Sequence, residues 1–371
     1  MLTSLKLTGY RRFESYRLDG LTRVNLLVGR NNCGKTSILE AVDLVVAQGD
    51  PSVLRNAATR RSEHSVYETS SQLKESSPFT ANFNFTVPSV SHTFFGHRCE
   101  QGVRFELSSG DSYAVSYEIV SPDLVPDSFE SPALNDLRLA VGFGLEIRTG
   151  HHAKNGATEG LPVIPVTRRG ELLGLLEWRR GIGFPKAPAA FLGIDPWTSK
   201  DLRAMWDDTI RQGREQEVVN ALRLLDPDLV SIHFLTGTQT DGGILVGRRS
   251  TSDRLPIGSL GEGVRRLLVL SLAMTTTGGY LLVDEPDTGL HWTALDGMWR
   301  LLLATARRLD VQIFATTHSY DCIRGLASAI KAEPDLRDDV SVHKLHAELD
   351  ESVRLSADDM HIAMAQDIEV R

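Results

Sequence analysis

Apolar and polar residues alternate imperfectly from Leu2 to Leu7 and more weakly from Ser15 to Leu18, while Val24 to Val28 is almost wholly apolar, so three early strands are expected. The third ends at Gly29, and from Ser37 the run SILEAVDLVVAQ carries apolar residues at helical spacing. The order is therefore strand, glycine loop, helix. Asp50 to Lys74 is polar and rich in Ser, Arg and Glu, and reads as an irregular excursion. Alternation returns at Thr80 to Val87, Gly102 to Leu107 and Ser112 to Ile119, with a hairpin-like SSGD between the last two, which predicts an antiparallel sheet. Ser121 to Gly160, with scattered Pro, Asn and Gly, offers one strand around Leu137 to Ile147. Thr198 then reads as a cap before SKDLRAMWDDTIRQG, and Glu215 to Leu225 as a second amphipathic helix stopped by Asp226-Pro227. Tyr280 to Val283 is a continuous apolar run of the kind found in buried parallel strands, and Val311 to Ala315 reads as a second buried strand. No sustained heptads and no internal repeat occur, so a long coiled-coil arm is excluded.

With 371 residues and 41% hydrophobic content the chain can bury a sizeable core. A net charge of -8 argues against a protein that coats nucleic acid over its whole surface, though a local basic stripe would not show in that total. Cys33, Cys99 and Cys322 are scattered without metal-type spacing, which suits a reducing, cytoplasmic compartment. Charges interrupt MLTSLKLTGYRRFESYRL every few residues, and no stretch has the length and apolarity of a bilayer span, so no membrane partner is expected.

The candidate chemistry begins with Gly29-x-x-x-x-Gly34-Lys35-Thr36, which fits the phosphate-loop pattern completely and sits in the strand-loop-helix context it requires. Glycines let several backbone N–H groups converge on one phosphate chain, and the helix N-terminus adds partial positive charge. Lys35 then supplies a full charge near the β and γ phosphates, and the Thr36 hydroxyl can ligate Mg²⁺. Cys33 inside the loop reads as a small residue tolerated there.

Tyr280 to Val283 ends in Asp284-Glu285-Pro286, and two adjacent carboxylates at a strand end can divide the work, Asp284 on the Mg²⁺ shell and Glu285 on the attacking water. Val311 to Ala315 ends in Thr316-Thr317-His318-Ser319, which brings the His318 imidazole to the same sheet edge, where it could hydrogen-bond the γ phosphate. Ser259-Leu260-Gly261-Glu262-Gly263 precedes the helical run VRRLLVLSLAMTTT and makes a second anion-binding element for what reads as one nucleotide. Head-to-tail dimerisation accounts for the surplus, with Ser259, Gly261 and Glu262 of one subunit completing the phosphate site of the other.

On these motifs the chain resembles the OLD-type (overcoming lysogenization defect) ATPases, AAA/ABC-class relatives of the RecF and SMC heads, densely over residues 1–48 and 222–330 and loosely between. The resemblance implies an α/β fold, an ABC/SMC-type P-loop ATPase head with a mostly parallel core sheet, an antiparallel β lobe and a helical insert. It implies one domain in two sequence halves, 1–150 and 236–371, around an insert at 151–235. GRNNCGKTS becomes the Walker A motif, with Gly29, Asn31, Asn32, Gly34, Lys35, Thr36 and Ser37 on the nucleotide. SLGEG becomes the signature, YLLVDEP the Walker B strand with Glu285 as catalytic base, DTGLH the D-loop region and TTHS the switch histidine. Arg11 in GYRRF matches an arginine that related heads place near the nucleotide, while neither Gln72 nor Gln101 makes a good glutamine-loop residue.

OLD-type nucleases also carry a carboxy-terminal Toprim domain, whereas about fifty residues follow His318 here, fewer than the ~100 a domain usually needs. Asp338-Asp339 and Asp358-Asp359 read as a solvated face and not as a two-metal site. The expectation is an ATP- and Mg²⁺-dependent ATPase, self-associating as a homodimer or higher oligomer, that controls a separate effector such as a nuclease or toxin in anti-phage defence. The alternative is a RecF-like repair ATPase, with DNA as a partner through Arg168-Arg169, Arg179-Arg180 and Arg248-Arg249.

Overall fold

The computed structural model describes residues 1–71, 81–110, 113–126, 141–150, 158–173, 189–194, 197–235, 243–366 and 370. The chain divides into two compact units, one formed by Met1, Asp19–Leu39 and Pro188–Arg371, the other by Leu2–Leu18 and Glu40–Ala187.

The first unit is built on a six-stranded sheet. Its order is Ala189–Leu192, Tyr280–Val283, Gln312–Thr317, Val24–Val28, Val340–Lys344 and Val353–Leu355, parallel throughout except for the last, antiparallel pair. Every residue of Val24–Val28 and of Gln312–Thr317 is buried, as in central strands of a parallel sheet covered on both faces. Helices Trp292–Leu309 and Tyr320–Ala332 pack together, tied by Trp299 Nε1–H donating to the Cys322 carbonyl at 3.0 Å. Helix Glu262–Thr276 carries helices Ser199–Arg211 and Glu215–Leu222 on its flank. The expected Thr198 cap is present, as a capping box with Asp201. A small three-stranded antiparallel sheet, Leu229–Phe234, Ile244–Arg248 and Leu255–Pro256, completes this unit.

The second unit holds a seven-stranded sheet in which Ser4–Tyr10 pairs antiparallel with Arg104–Ser109, Arg104–Ser109 with Tyr113–Val120, and Tyr113–Val120 with Val141–Gly150. Its core is aromatic, with Phe105 stacked on Tyr117 at 4.5 Å between ring centres and Phe94 edge-on to Phe105.

The fold class expected from the pattern, α/β with a mostly parallel core sheet and an antiparallel sheet beside it in sequence, is the one observed. Two local expectations are corrected. The stretch read as an irregular excursion forms helix Pro51–Arg60 and strand His64–Ser71, because Asp50 caps the helix by accepting from the Ser52 N–H and Pro51 suits its first turn. The strand expected at Thr80 to Val87 pairs with His64–Ser71 as a separate hairpin, Ala81–Pro88, outside the seven-stranded sheet. Ser199–Arg211 and Glu215–Leu222 lie in the same unit as the phosphate loop. Of the strand expected around Leu137 to Ile147, residues 137–140 lie outside the described residues and the rest forms Val141–Gly150.

Candidate nucleotide site

The phosphate loop joins strand Val24–Val28 to helix Lys35–Val46. Its curl needs left-handed backbone at Asn32 (φ 62°) and Gly34 (φ 100°), the second glycine because only glycine adopts such a conformation without strain. Lys35 is buried, and its Nζ donates to the carbonyls of Gly29 at 2.7 Å and Arg30 at 3.0 Å, which folds the ammonium back over the loop. The N-terminus of the helix and the Lys35 charge thus point into one place, which is what an anion requires. Ser37 is buried, while Asn31 and Asn32 are exposed.

The acidic strand is separated from the phosphate-loop strand by Gln312–Thr317, so Asp284 reaches the loop across that strand's end. Thr36 Oγ1 donates to Asp284 Oδ2 at 2.9 Å, and the Thr316 hydroxyl donates to the other oxygen of Asp284. Thr316 Oγ1 also accepts from the Glu285 N–H at 3.1 Å. Glu285 has φ 49°, a strained value for a side-chain-bearing residue, and residues held this way concentrate at working sites. Its Oε1 lies 2.6 Å from His318 Nδ1, the imidazole half exposed at the sheet edge. Beneath the strand end, buried Arg266 donates to the carbonyls of Asp284 at 2.8 Å, Glu285 at 2.7 Å and Gly193 at 3.3 Å. Burial pushes its pKa down, and Asp287, Asp284, Glu262 and Glu285 push back.

Lys35, Thr36, Asp284, Glu285 and His318 are thus brought to one sheet edge, as their motifs implied. Ser259, Gly261 and Glu262 are exposed at the start of helix Glu262–Thr276, where no side chain caps the first turn. That start is seated on the DTGLH segment: a Cβ on Gly289 would lie 2.9 Å from Glu262 Cγ, and one on Gly263 would lie 3.1 Å from the Gly289 carbonyl.

Arg11, expected near the nucleotide, lies in the second unit, where its buried guanidinium is ion-paired with Glu40 at 2.9 Å and Glu63 at 2.9 Å. Of the basic pairs, Arg248 is ion-paired with Asp226 at 3.0 Å, and Arg179-Arg180 lies outside the described residues, as does Gln72. Gln101 sits in an exposed turn of the second unit.

Thr316 and Arg266 went unassigned in the sequence. The first carried a usable signal, a hydroxyl pair closing a buried strand just before His318; the second is an arginine on the apolar stripe of a helix, where a charge needs a dedicated set of acceptors.

Residues 1–100 match a family described as "AAA ATPase domain", and residues 214–321 match one described as "AAA domain, putative AbiEii toxin, Type IV TA system". A relative from Helicobacter pylori named ATP/GTP phosphatase is 20% identical over 89% of this chain and 89% of its own length. A solved SMC head bound to the C-winged helix domain of ScpA is 14% identical, with a TM-score of 0.47 over 98% of this chain and 99% of that one. The SMC head of Thermotoga maritima is 13% identical, with a TM-score of 0.42 over 96% and 98%. Among the described residues no helix is long and apolar enough to cross a membrane. The two family matches contain the phosphate loop and the acidic and histidine strands respectively, and with these segments gathered into one site the chain, AAA-class in sequence at both, is an ATP-hydrolysing enzyme.

Proposed function

We propose that the chain is an ATP-driven switch in which two copies close head to tail around ATP and hydrolysis resets them, the cycle controlling a separate effector such as a nuclease or toxin in bacterial anti-phage defence. The observation that carries this reading is the coexistence of a built hydrolytic edge, Thr36–Asp284 and Glu285–His318, with an exposed and uncapped helix start at Ser259, Gly261 and Glu262. The hydrolytic edge supplies turnover, and the exposed start offers amides to a phosphate on a second copy. The AbiEii-type family match supports the defence setting.

The donor set fits Mg²⁺. Thr36 Oγ1 and Asp284 Oδ2 are hard oxygens 2.9 Å apart on separate elements, the one hydroxyl and one carboxylate that this ion takes beside phosphate oxygens and water. When bound, the ion neutralises charge on the β and γ phosphates. The chain's own groups do the remaining work. Lys35 swings from the Gly29 and Arg30 carbonyls onto the β and γ oxygens, and the Gly34 to Ser37 amides hold the phosphate chain. Glu285 accepts a hydrogen bond from the attacking water and so orients it, while the Nδ1–H of His318 donates to the same carboxylate and fixes its direction.

Light scattering on a Glu285→Gln variant with Mg-ATP tests the switch. A nucleotide-dependent doubling of mass is expected, and a persistent monomer at saturating ATP would sink the proposal. Phage plaque counts on cells expressing the chain with its neighbouring genes, with and without Lys35→Ala, test the defence role; equal counts would remove it.

A further inference from the structure

Sheet order fixes the direction in which a nucleotide must cross the phosphate loop. Strand Val24–Val28 lies between Gln312–Thr317, which ends at His318, and Val340–Lys344. Asp284, Glu285 and His318, the groups suited to the terminal phosphate, all stand on the Gln312–Thr317 side. If the γ phosphate lies there, the nucleoside leaves the loop on the other side, over the end of Val340–Lys344.

A cavity of about 520 Å³ is open at that place, lined by Gly29, Arg30, Asn31 and Cys33 of the phosphate loop and by the segment 344–349. Its size is that of a small-molecule pocket, typically about 300–1,000 Å³. The two walls are locked together. The Leu345 N–H donates to the Val28 carbonyl at 2.8 Å, and the space beside Gly29 is so narrow that a Cβ there would lie 2.8 Å from the Leu345 carbonyl oxygen. The pocket is therefore anchored to the first residue of the phosphate loop. Its wall combines an apolar chain, Leu349, 46% exposed, with a half-buried imidazole, His346, and the charged Lys344 and Glu348. A ring that stacks, an apolar cover and a few polar groups at the rim are what a purine nucleoside needs.

We propose that this cavity takes the nucleoside of the bound nucleotide, with the purine stacked on His346 and covered by Leu349. The proposal rests on the reading of Gly29 to Ser37 as the triphosphate site, and adds where the base lies and which residues recognise it. Lys344 and Glu348 then meet the polar edges of base and ribose, which makes segment 344–349 the place where one nucleoside triphosphate is told from another.

The test separates the two ends of the ligand. Calorimetric titrations of the full chain in a Glu285→Gln background compare Mg-ATP with Mg-tripolyphosphate, which has the phosphates and no nucleoside. His346→Ala is expected to weaken ATP about tenfold, the loss typical of one base–aromatic stack, and to leave tripolyphosphate unchanged. Leu349→Ala is expected to shift ATP in the same direction, and Lys35→Ala to weaken both ligands. Unchanged ATP affinity in both His346→Ala and Leu349→Ala, or equal losses for ATP and tripolyphosphate, would overturn the assignment. Binding of neither ligand by the parent protein would overturn the triphosphate reading itself, and this assignment with it.

Discussion

His318 Nδ1 stands 2.6 Å from Oε1 of Glu285, so the imidazole at the end of one strand restrains the carboxylate at the end of its neighbour. The pair makes different demands on its two members. Glu285→Gln keeps the shape and loses the proton acceptor, so ATP turnover is expected to fall about 10²–10⁴-fold with nucleotide binding retained. His318→Ala leaves the carboxylate in place but less directed, and a smaller fall in kcat, on the order of tenfold to a hundredfold with KM nearly unchanged, is expected. Steady-state phosphate release on both variants decides it; equal losses would mean that His318 does more than position Glu285.

Thr316 serves both acids at once, donating to Asp284 and accepting from the Glu285 N–H. Thr316→Val keeps the shape of the side chain and removes both bonds. It leaves the Glu285 amide without its acceptor, which costs about 1–3 kcal/mol, and frees the Asp284 carboxylate to turn away from Thr36. The Mg²⁺ concentration giving half-maximal ATPase activity is expected to rise severalfold, with a lower melting temperature. Were the Mg²⁺ dependence to match that of the parent protein, the role of Thr316 in aiming Asp284 would be refuted.

The difference between Thr316 and Asp284 also shows how much of the site was legible in the sequence. Glycine spacing, paired acids after an apolar run and a histidine after a second one are local signals, and they located Lys35, Thr36, Asp284, Glu285 and His318 because each motif is contained in one strand-to-loop junction. Thr316 and Arg266 act through neighbours 32 and 18 residues away, and no local pattern records such a partnership. The partners of Arg11, Glu40 and Glu63, are likewise distant in sequence and left no local trace. In the fold, the strands buried on both faces were readable from composition alone, whereas helix Pro51–Arg60 was hidden by a polar exterior, and only Asp50-Pro51, a cap followed by a first-turn proline, marked it.

His343 gives the phosphate-loop unit an acid-sensitive core. It is fully buried, with ring nitrogens 2.9 Å from Ser341 Oγ and 3.2 Å from Ser352 Oγ. Burial first, and the Arg354 charge second, lower its pKa from 6.5 to about 4, with Asp19 pulling weakly the other way. In the unfolded chain the ring titrates at its ordinary value, so its contribution is complete above about pH 6.5 and is lost as pH falls toward 4. The loss is on the order of 3 kcal/mol at most. Urea unfolding of the parent and His343→Asn between pH 4 and 8 should show the parent losing stability relative to the variant across that interval. Parallel pH profiles would mean that the fold does not lower the pKa of the ring.

Gly289 connects the DTGLH segment to the exposed start of helix Glu262–Thr276. With φ 76° it occupies a conformation that costs an alanine about 1–2 kcal/mol, and the added methyl would lie 2.9 Å from Glu262 Cγ and 3.4 Å from Glu262 Cβ. Glu262 and the first turn behind it must move to make room. Neither residue belongs to the phosphate loop or the acidic strand, so Gly289→Ala is expected to leave ATP binding by a single copy intact while displacing the surface offered to a second one. In a Glu285→Gln background the ATP-dependent dimer should weaken about tenfold, as a displacement worth roughly 1.4 kcal/mol would produce. Sedimentation over a range of protein concentrations, beside a nucleotide titration of the dilute monomer, reads both quantities. Loss of dimer with retained monomer affinity fits a signature that acts on the partner's nucleotide. Loss of both in step would place Ser259, Gly261 and Glu262 at the site of their own subunit and remove the head-to-tail arrangement.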